Sequence, residues 1–151
     1  MRTATPDDVG DIERIVRAAF APYVARIGRE PAPMTADYHR VVAHTDDAYV
    51  LVDQGGTVGV LIIVEKADHL LIETLAVDAA CQGLGYGKVL LTFAENQARE
   101  RGYMQTRLYT NAAMTENLAF YPYLGYVEVG RRAEDGFERV YFTKDLATIV
   151  P

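Results

Sequence analysis

The stretch from Leu70 to Arg101, LLIETLAVDAACQGLGYGKVLLTFAENQARER, constrains this chain more than any other. Its first eight residues, Leu70 to Val77, are almost wholly apolar and rich in β-branched types, which predicts a strand. A short polar turn leads to Gln82-Gly83-Leu84-Gly85-Tyr86-Gly87-Lys88. Beyond it, Val89, Leu90, Phe93, Ala94, Gln97 and Ala98 recur at helical spacing, and Gly102 stands as a C-terminal stop. The glycines therefore sit between a strand and the first turn of a helix. The first backbone N–H groups of a helix have no internal partner, and the positive end of its dipole lies there. Glycine lets the backbone approach an anion with no Cβ in the way. The expected object is a cradle for a pyrophosphate.

Spacing separates the known cradles. A phosphate loop of the Walker type needs Gly, four residues, then Gly-Lys-Ser/Thr. Here Val89 follows Gly87-Lys88, and Gln82 occupies the first glycine position. The dinucleotide pattern G-x-G-x-x-G accepts Gly83 and Gly85 but would end on Lys88. It also belongs in a first βα unit, whereas this loop lies mid-chain. What remains is Gln-x-x-Gly-x-Gly, formed by Gln82, Gly85 and Gly87.

A second segment carries weight: Glu116-Asn117-Leu118-Ala119-Phe120-Tyr121-Pro122-Tyr123-Leu124-Gly125-Tyr126. It reads as a short helix bearing an aromatic-Tyr pair, closed by Leu-Gly-Tyr before a strand. Together, in this order, with one long helix and one strand between them, the two segments resemble the acetyl-CoA loop and the closing motif of the GNAT superfamily of N-acetyltransferases. Three departures stand out. The position seven before the tyrosine, often Asn in the family, is Met114. Pro122 interrupts the helix, where it cannot donate a backbone hydrogen bond and crowds the preceding turn. Tyr126 replaces the commoner Phe.

The rest of the chain fits one α/β domain of 151 residues, long enough for a full hydrophobic core. Expected strands are Arg2–Ala4, Tyr49–Val52, Thr57–Val64, Leu70–Val77, Thr106–Tyr109, Tyr126–Arg131 and Phe137–Phe142. Thr5 and Pro6 start a first helix whose apolar face is Ile12, Ile15, Val16, Ala19 and Phe20. Shorter helical pieces follow at Tyr23–Ile27, Asp37–His44 and Thr115–Leu124, with a proline-rich loop from Gly28 to Met34. This order resembles the GNAT fold from end to end: a central mixed, mostly antiparallel sheet flanked by helices.

Composition removes other classes. Apolar residues make up 50% of the chain, yet no run approaches the roughly 20 needed to span a bilayer. With 15 basic and 21 acidic residues the net charge is −6, and no basic stripe suggests nucleic acid. The lone Cys81 and scattered His39, His44 and His69 form no metal cluster, so no metal is expected. One cysteine and no apolar leader at the N-terminus point to the cytoplasm.

The resemblance implies transfer of an acetyl group from acetyl-CoA, as co-substrate, to an amine attacking directly in a ternary complex. Leu75, Ala76 and Val77 would supply the strand edge that polarises the thioester and pairs with pantetheine. Gln82, Gly83, Leu84, Gly85, Tyr86, Gly87 and Lys88 would hold the pyrophosphate. Tyr121 would donate to the departing sulfur, and Asn117 would reach the pantetheine arm or cap its helix. Glu73, a carboxylate in an apolar strand, is the candidate base, since burial would raise its pKa. Tyr23, Arg26, Arg29, Met34, Tyr38 and the turn from Arg131 to Glu138 are candidates for the acceptor wall; the two arginines suit a substrate carboxylate or solvent equally. The acceptor itself, a small-molecule amine or a peptide or protein amine, stays open, as do a longer acyl group, a homodimer, and a weakly catalytic acyl-CoA-binding module.

Overall fold

In the computed structural model, which describes residues 1–146, seven strands form one sheet. They are β1 (Arg2–Thr3), β2 (Ala48–Asp53), β3 (Gly56–Glu65), β4 (Leu70–Val77), β5 (Gln105–Asn111), β6 (Val127–Glu134) and β7 (Phe137–Asp145), in the spatial order β1-β2-β3-β4-β5-β7-β6. Every neighbouring pair is antiparallel except β4 and β5. The helices are α1 (Val9–Phe20), α2 (Val24–Ile27), α3 (Ala32–Thr35), α4 (Tyr38–His44), α5 (Tyr86–Glu100) and α6 (Thr115–Tyr123).

Two apolar clusters hold the layers. On one face of the sheet, Leu90, Leu91, Ala94 and Ala98 of α5 pack with Leu61, Ile63, Leu70, Ile72 and Phe142. On the other, Val9, Ile12, Ile15 and Val16 of α1 pack with Val50, Val60, Ile62 and Ala76. The alternation along β3 explains the division, because successive side chains of a strand point to opposite faces.

The parallel junction positions everything that follows. β4 and β5 pair only at Leu70–Thr106 and Leu71–Arg107, then diverge. From Ile72 onward the β5-facing edge of β4 carries no strand partner among the described residues. A bulge adds to the opening: Ile62 pairs with Thr74 and Ile63 with Ile72, so Glu73 is the extra residue of β4. The bulge shifts the side-chain alternation by one, so that Ile72 and Leu75 both pack toward α5 while Ala76 packs toward α1.

Several boundaries differ from expectation. The loop from Gly28 to Met34 closes at Pro31, and Ala32–Thr35 forms a helical turn because Pro33 sits in its first turn, where a missing N–H costs nothing. The polar turn from Arg132 to Gly136 is shorter than expected. β6 runs to Glu134, and only Asp135 and Gly136, with φ of 53° and 80°, make the turn. Positive φ at both positions suits an Asp-Gly hairpin. In α5, Leu91 and Glu95 are buried and Val89 is 45% exposed, so the inward face is rotated from the one the apolar spacing picks out.

Candidate active site

The wedge between β4 and β5 holds two cavities, of about 280 and 380 Å³, that share Phe20, Leu75, Met114, Asn117 and Tyr121 as lining. The larger runs from β4 to the glycine loop. Leu75, Ala76 and Val77 line it, as do Gln82, Gly83, Gly85, Tyr86, Gly87 and Lys88. Leu84 does not, and it is 68% exposed.

The loop differs from expectation in where the helix begins. α5 starts at Tyr86, so Gly87 and Lys88 lie in its first turn and not in the loop. Gly83 and Gly85 have φ of 83° and 86°, left-handed values that glycine adopts without strain. Gly85 is the N-cap and contributes no side chain to the helix's free N–H groups. These amides therefore face the larger cavity without an internal partner. Gly87 is closely packed instead: a Cβ there would stand 3.2 Å from Cζ of Phe120, which would have to shift by a few tenths of an ångström. The Tyr86 hydroxyl donates to Asp53 at the end of β2, which tethers the first turn to the sheet. Lys88 and Gln82 are exposed at the cavity's outer end.

Tyr121 stands where the cavities meet. It is 7% exposed, and its ring packs against Phe120, Tyr126 and Phe142 at centroid separations of 5.3, 5.9 and 5.8 Å. No hydrogen bond occupies its hydroxyl among the described residues. Burial, with the nearby Tyr23 adding to it, holds the phenol well above its ordinary pKa, so it stays protonated. The backbone fixes it. The Tyr126 N–H donates to the Tyr121 carbonyl at 3.0 Å and the Gly125 N–H to that of Pro122 at 3.0 Å, with Gly125 at φ 95°. This is a Schellman closure, and the packed Tyr121 and Tyr126 rings are its accompanying apolar contact. Asn117, one turn earlier, donates to Oγ1 of Thr110 at 3.0 Å and lines both cavities. Met114, in place of the expected Asn, is buried at the same junction.

The smaller cavity contains Glu73. Its side chain is exposed, contrary to the burial expected of a carboxylate in an apolar strand. The bulge is the reason: an extra residue on an unpaired edge turns toward the opening instead of into either core. Burial is also the first cause that raises the phenols of Tyr38 and Tyr109 above their usual pKa, and the Glu73 charge adds to both. Both tyrosines line the same cavity as the carboxylate. Arg139, 8% exposed, also lines it, and periodicity offers no signal for it. Its Nη1 lies 2.9 Å from Glu134 and 3.5 Å from Asp135, and its guanidinium covers the Tyr109 ring at 4.4 Å.

The other acceptor-side candidates divide. Tyr38 lines the smaller cavity and Tyr23 the larger, while Met34 lines neither. Arg26 and Arg29 are engaged elsewhere. Arg26 pairs with Glu116 of α6 at 2.9 Å; Arg29 donates to the Asp135 carbonyl and lies 3.7 Å over the Phe137 ring. Cys81, beside the larger cavity, is a free thiol. No group of three or more potential metal ligands occurs among the described residues.

Comparison with known proteins agrees with this geometry. Residues 44–128, more than half of the chain, match the acetyltransferase (GNAT) domain family. The uncharacterized N-acetyltransferase YjgM of Escherichia coli (strain K12) is 29% identical over 137 residues, which cover 85% of this chain and 82% of the relative. Among solved structures, a GCN5-related N-acetyltransferase from Rhodopseudomonas palustris superposes with a TM-score of 0.77 at 23% identity, covering 96% of this chain and 94% of the other. The PaiA N-acetyltransferase of Thermoplasma acidophilum, solved in complex with coenzyme A, gives 0.74 at 16% identity over 95% and 96% of the two chains. The splayed sheet, the loop at the start of α5 and the match across more than half the sequence make the protein a member of the GNAT family and an N-acetyltransferase.

Proposed function

We propose that the protein transfers acetyl from acetyl-CoA to a primary amine by direct attack in a ternary complex. The single observation that carries this reading is the convergence of three features on one wedge. A strand edge without a partner lies beside a helix start with free amides, and a buried phenol stands between them. The unpartnered edge at Leu75, Ala76 and Val77 suits the amide groups of pantetheine, and the amides from Gly83 to Lys88 suit a pyrophosphate. Acetyl-CoA supplies the thioester whose acetyl group passes to the amine and whose thiol is released.

The chain's own residues divide the remaining work. Glu73 accepts the proton that the amine must lose before and during attack, directly or through water. Backbone N–H groups near Leu75 stabilise the charge that gathers on the carbonyl oxygen. Tyr121, kept protonated by burial, donates its hydroxyl proton to the sulfur as the C–S bond breaks. Holding both reactants in one wedge contributes several kcal/mol by itself.

Release of free thiol from acetyl-CoA with a panel of amines tests this reading. Thiol release that depends on the amine supports transfer. Tight acetyl-CoA binding with no release from any amine would instead identify a binding module.

A further inference from the structure

We propose that the acceptor is a free amino acid with an apolar side chain, whose amino group meets Glu73 while its carboxylate is held by Arg139 and Asn111. This rests on the transferase reading and names the substrate class of the same site.

The argument begins with donors that the smaller cavity leaves unused. Arg139 lines it, and both of its ion pairs, with Glu134 and Asp135, are made by Nη1. Its Nε and Nη2 have no hydrogen-bond partner among the described residues. They are not sealed off either: the buried side-chain polar atoms left without a partner there are Nε of Arg99 and the hydroxyl of Tyr141. The edge formed by Nε and Nη2 is therefore accessible, and its parallel N–H groups match the two oxygens of a carboxylate. The guanidinium lies over the Tyr109 ring at 4.4 Å, which holds its plane. Asn111 is the cross-strand partner of Arg139 and lines the same cavity. Its Oδ1 accepts from the Ala113 N–H at 2.9 Å, so its side-chain NH₂ is left to donate on the same face of the sheet. The neighbouring acids do not cancel Arg139. Glu134 is shared with Arg132 at 2.8 Å, and the Asp135 side chain, 3.5 Å away, is 79% exposed and screened by water.

The cavity thus carries opposite charges on its two sides. Glu73 stands on β4 and Arg139 on β7, with β5 and its Tyr109 between them. Both charges reach that ring: after burial, which raises the Tyr109 phenol most, Arg139 lowers it and Glu73 raises it. Glu73 forms no ion pair among the described residues, so it is free for an ammonium. A free amino acid presents the matching pair, an ammonium for Glu73 and a carboxylate for Arg139. Phe20, Val41, Leu108 and Phe137 make the walls apolar, and about 280 Å³ has room for a side chain such as that of leucine or phenylalanine. The product would be the N-acetylamino acid and free thiol, with the amine proton passing to Glu73.

The test is thiol release from acetyl-CoA with leucine, methionine and phenylalanine, each beside its α-amide and its decarboxylated amine. The amide keeps the bulk and removes the negative charge; the amine removes both. We expect kcat/KM for the best amino acid to exceed that for its amide and its amine by on the order of tenfold to a hundredfold. In Arg139→Lys, which keeps the charge but not the parallel N–H groups, this preference should shrink, and in Arg139→Gln it should vanish. Melting curves establish that each variant is folded; if neither is, the wild-type comparison still decides. An amide or amine that equals its amino acid in the wild type would overturn the inference and leave the transferase reading standing. A preference unchanged in folded Arg139→Gln would overturn it equally. Calorimetry with the same compounds separates the two levels. Amino-acid binding that is lost in the amide, with no thiol released, upholds the carboxylate site while the transfer reading fails; no binding and no release from any of the compounds overturns both.

Discussion

At the scale of single residues, the site depends on where two side chains are held. Glu73 is exposed only because a bulge places it on an unpaired edge, and it stays in reach of water and of an incoming amine. The base role we propose for it makes a direct prediction: Glu73→Gln should lower the transfer rate by about 10²–10⁴ and change the pH–rate profile. An unchanged rate and profile would hand the role to solvent or another group. Gly85 tests the other end of the wedge. Its φ of 86° and its place as N-cap put any new side chain at the mouth of the amide cradle. A folded Gly85→Asp protein should bind acetyl-CoA much more weakly in a calorimetric titration, because a carboxylate would meet the pyrophosphate there. Equal affinity would move the pyrophosphate elsewhere. The candidate residues were legible in the sequence where chemistry is local: a tyrosine in the closing motif, a lone glutamate in an apolar run, glycines before a helix. Arg139 and the engagement of Arg26 and Arg29 were not: Arg139 reaches the cavity only because β7 pairs with β5, and the other two depend on partners 90 and 106 residues away.

Elements hold these residues through polar ties that no periodicity announces. Glu95 of α5, 7% exposed, accepts from Lys144 of β7 at 2.9 Å and from the Tyr126 hydroxyl at 3.2 Å. Tyr126 also meets Oγ1 of Thr106 at 2.9 Å, and Lys144 donates to the Leu124 carbonyl at 2.9 Å. The network joins α5, β5, β7 and the end of α6, and so fixes the turn that aims Tyr121. Lys144→Met would leave Glu95 with a buried, uncompensated charge. Denaturant unfolding should show a loss of about 2–3 kcal/mol, with much of it recovered when Glu95→Gln is added. A single-variant loss below about 0.5 kcal/mol would remove the network from the fold's support. At the N-terminus, Asp8 plays a comparable part. Arg2 donates to it at 2.8 and 2.9 Å and the Thr5 N–H at 2.8 Å, which joins β1 to the start of α1. The Arg2 hydrogen bonds come first in lowering the Asp8 pKa, from 3.8 to about 2. A carboxyl depressed in the folded state contributes stability that is fully present above its unfolded value and lost as pH falls through the folded one. The stability of the wild type should therefore decline between pH 4 and 2 partly through this group, and Asp8→Asn should remove that part of the slope. Identical slopes in the two proteins would deny Asp8 the role. Strand and helix existence was legible from alternation and from helical spacing. The rotated face of α5 was not, since a buried Glu95 reads as surface until Lys144 is seen beside it.

For the whole molecule, the decisive feature is that one sheet is assembled from two antiparallel halves joined by a brief parallel contact. Only Leu70 and Leu71 of β4 pair with β5, and everything beyond is open to a ligand. The mixed sheet itself was foreseeable from the order of strands and helices; the divergence was not, because no residue pattern states how long two distant strands stay paired. Tyr121 lies at the point common to both cavities, so it reports on the wedge as a unit. The measurement that bears most directly on acetyl transfer here is the single-turnover rate of thiol release from acetyl-CoA with saturating amine, in wild type and in Tyr121→Phe. Loss of one proton donor should lower that rate by about 10²–10⁴ while acetyl-CoA affinity stays nearly intact. A rate within about twofold of wild type would contradict the mechanism and return Tyr121 to the core as a packing residue.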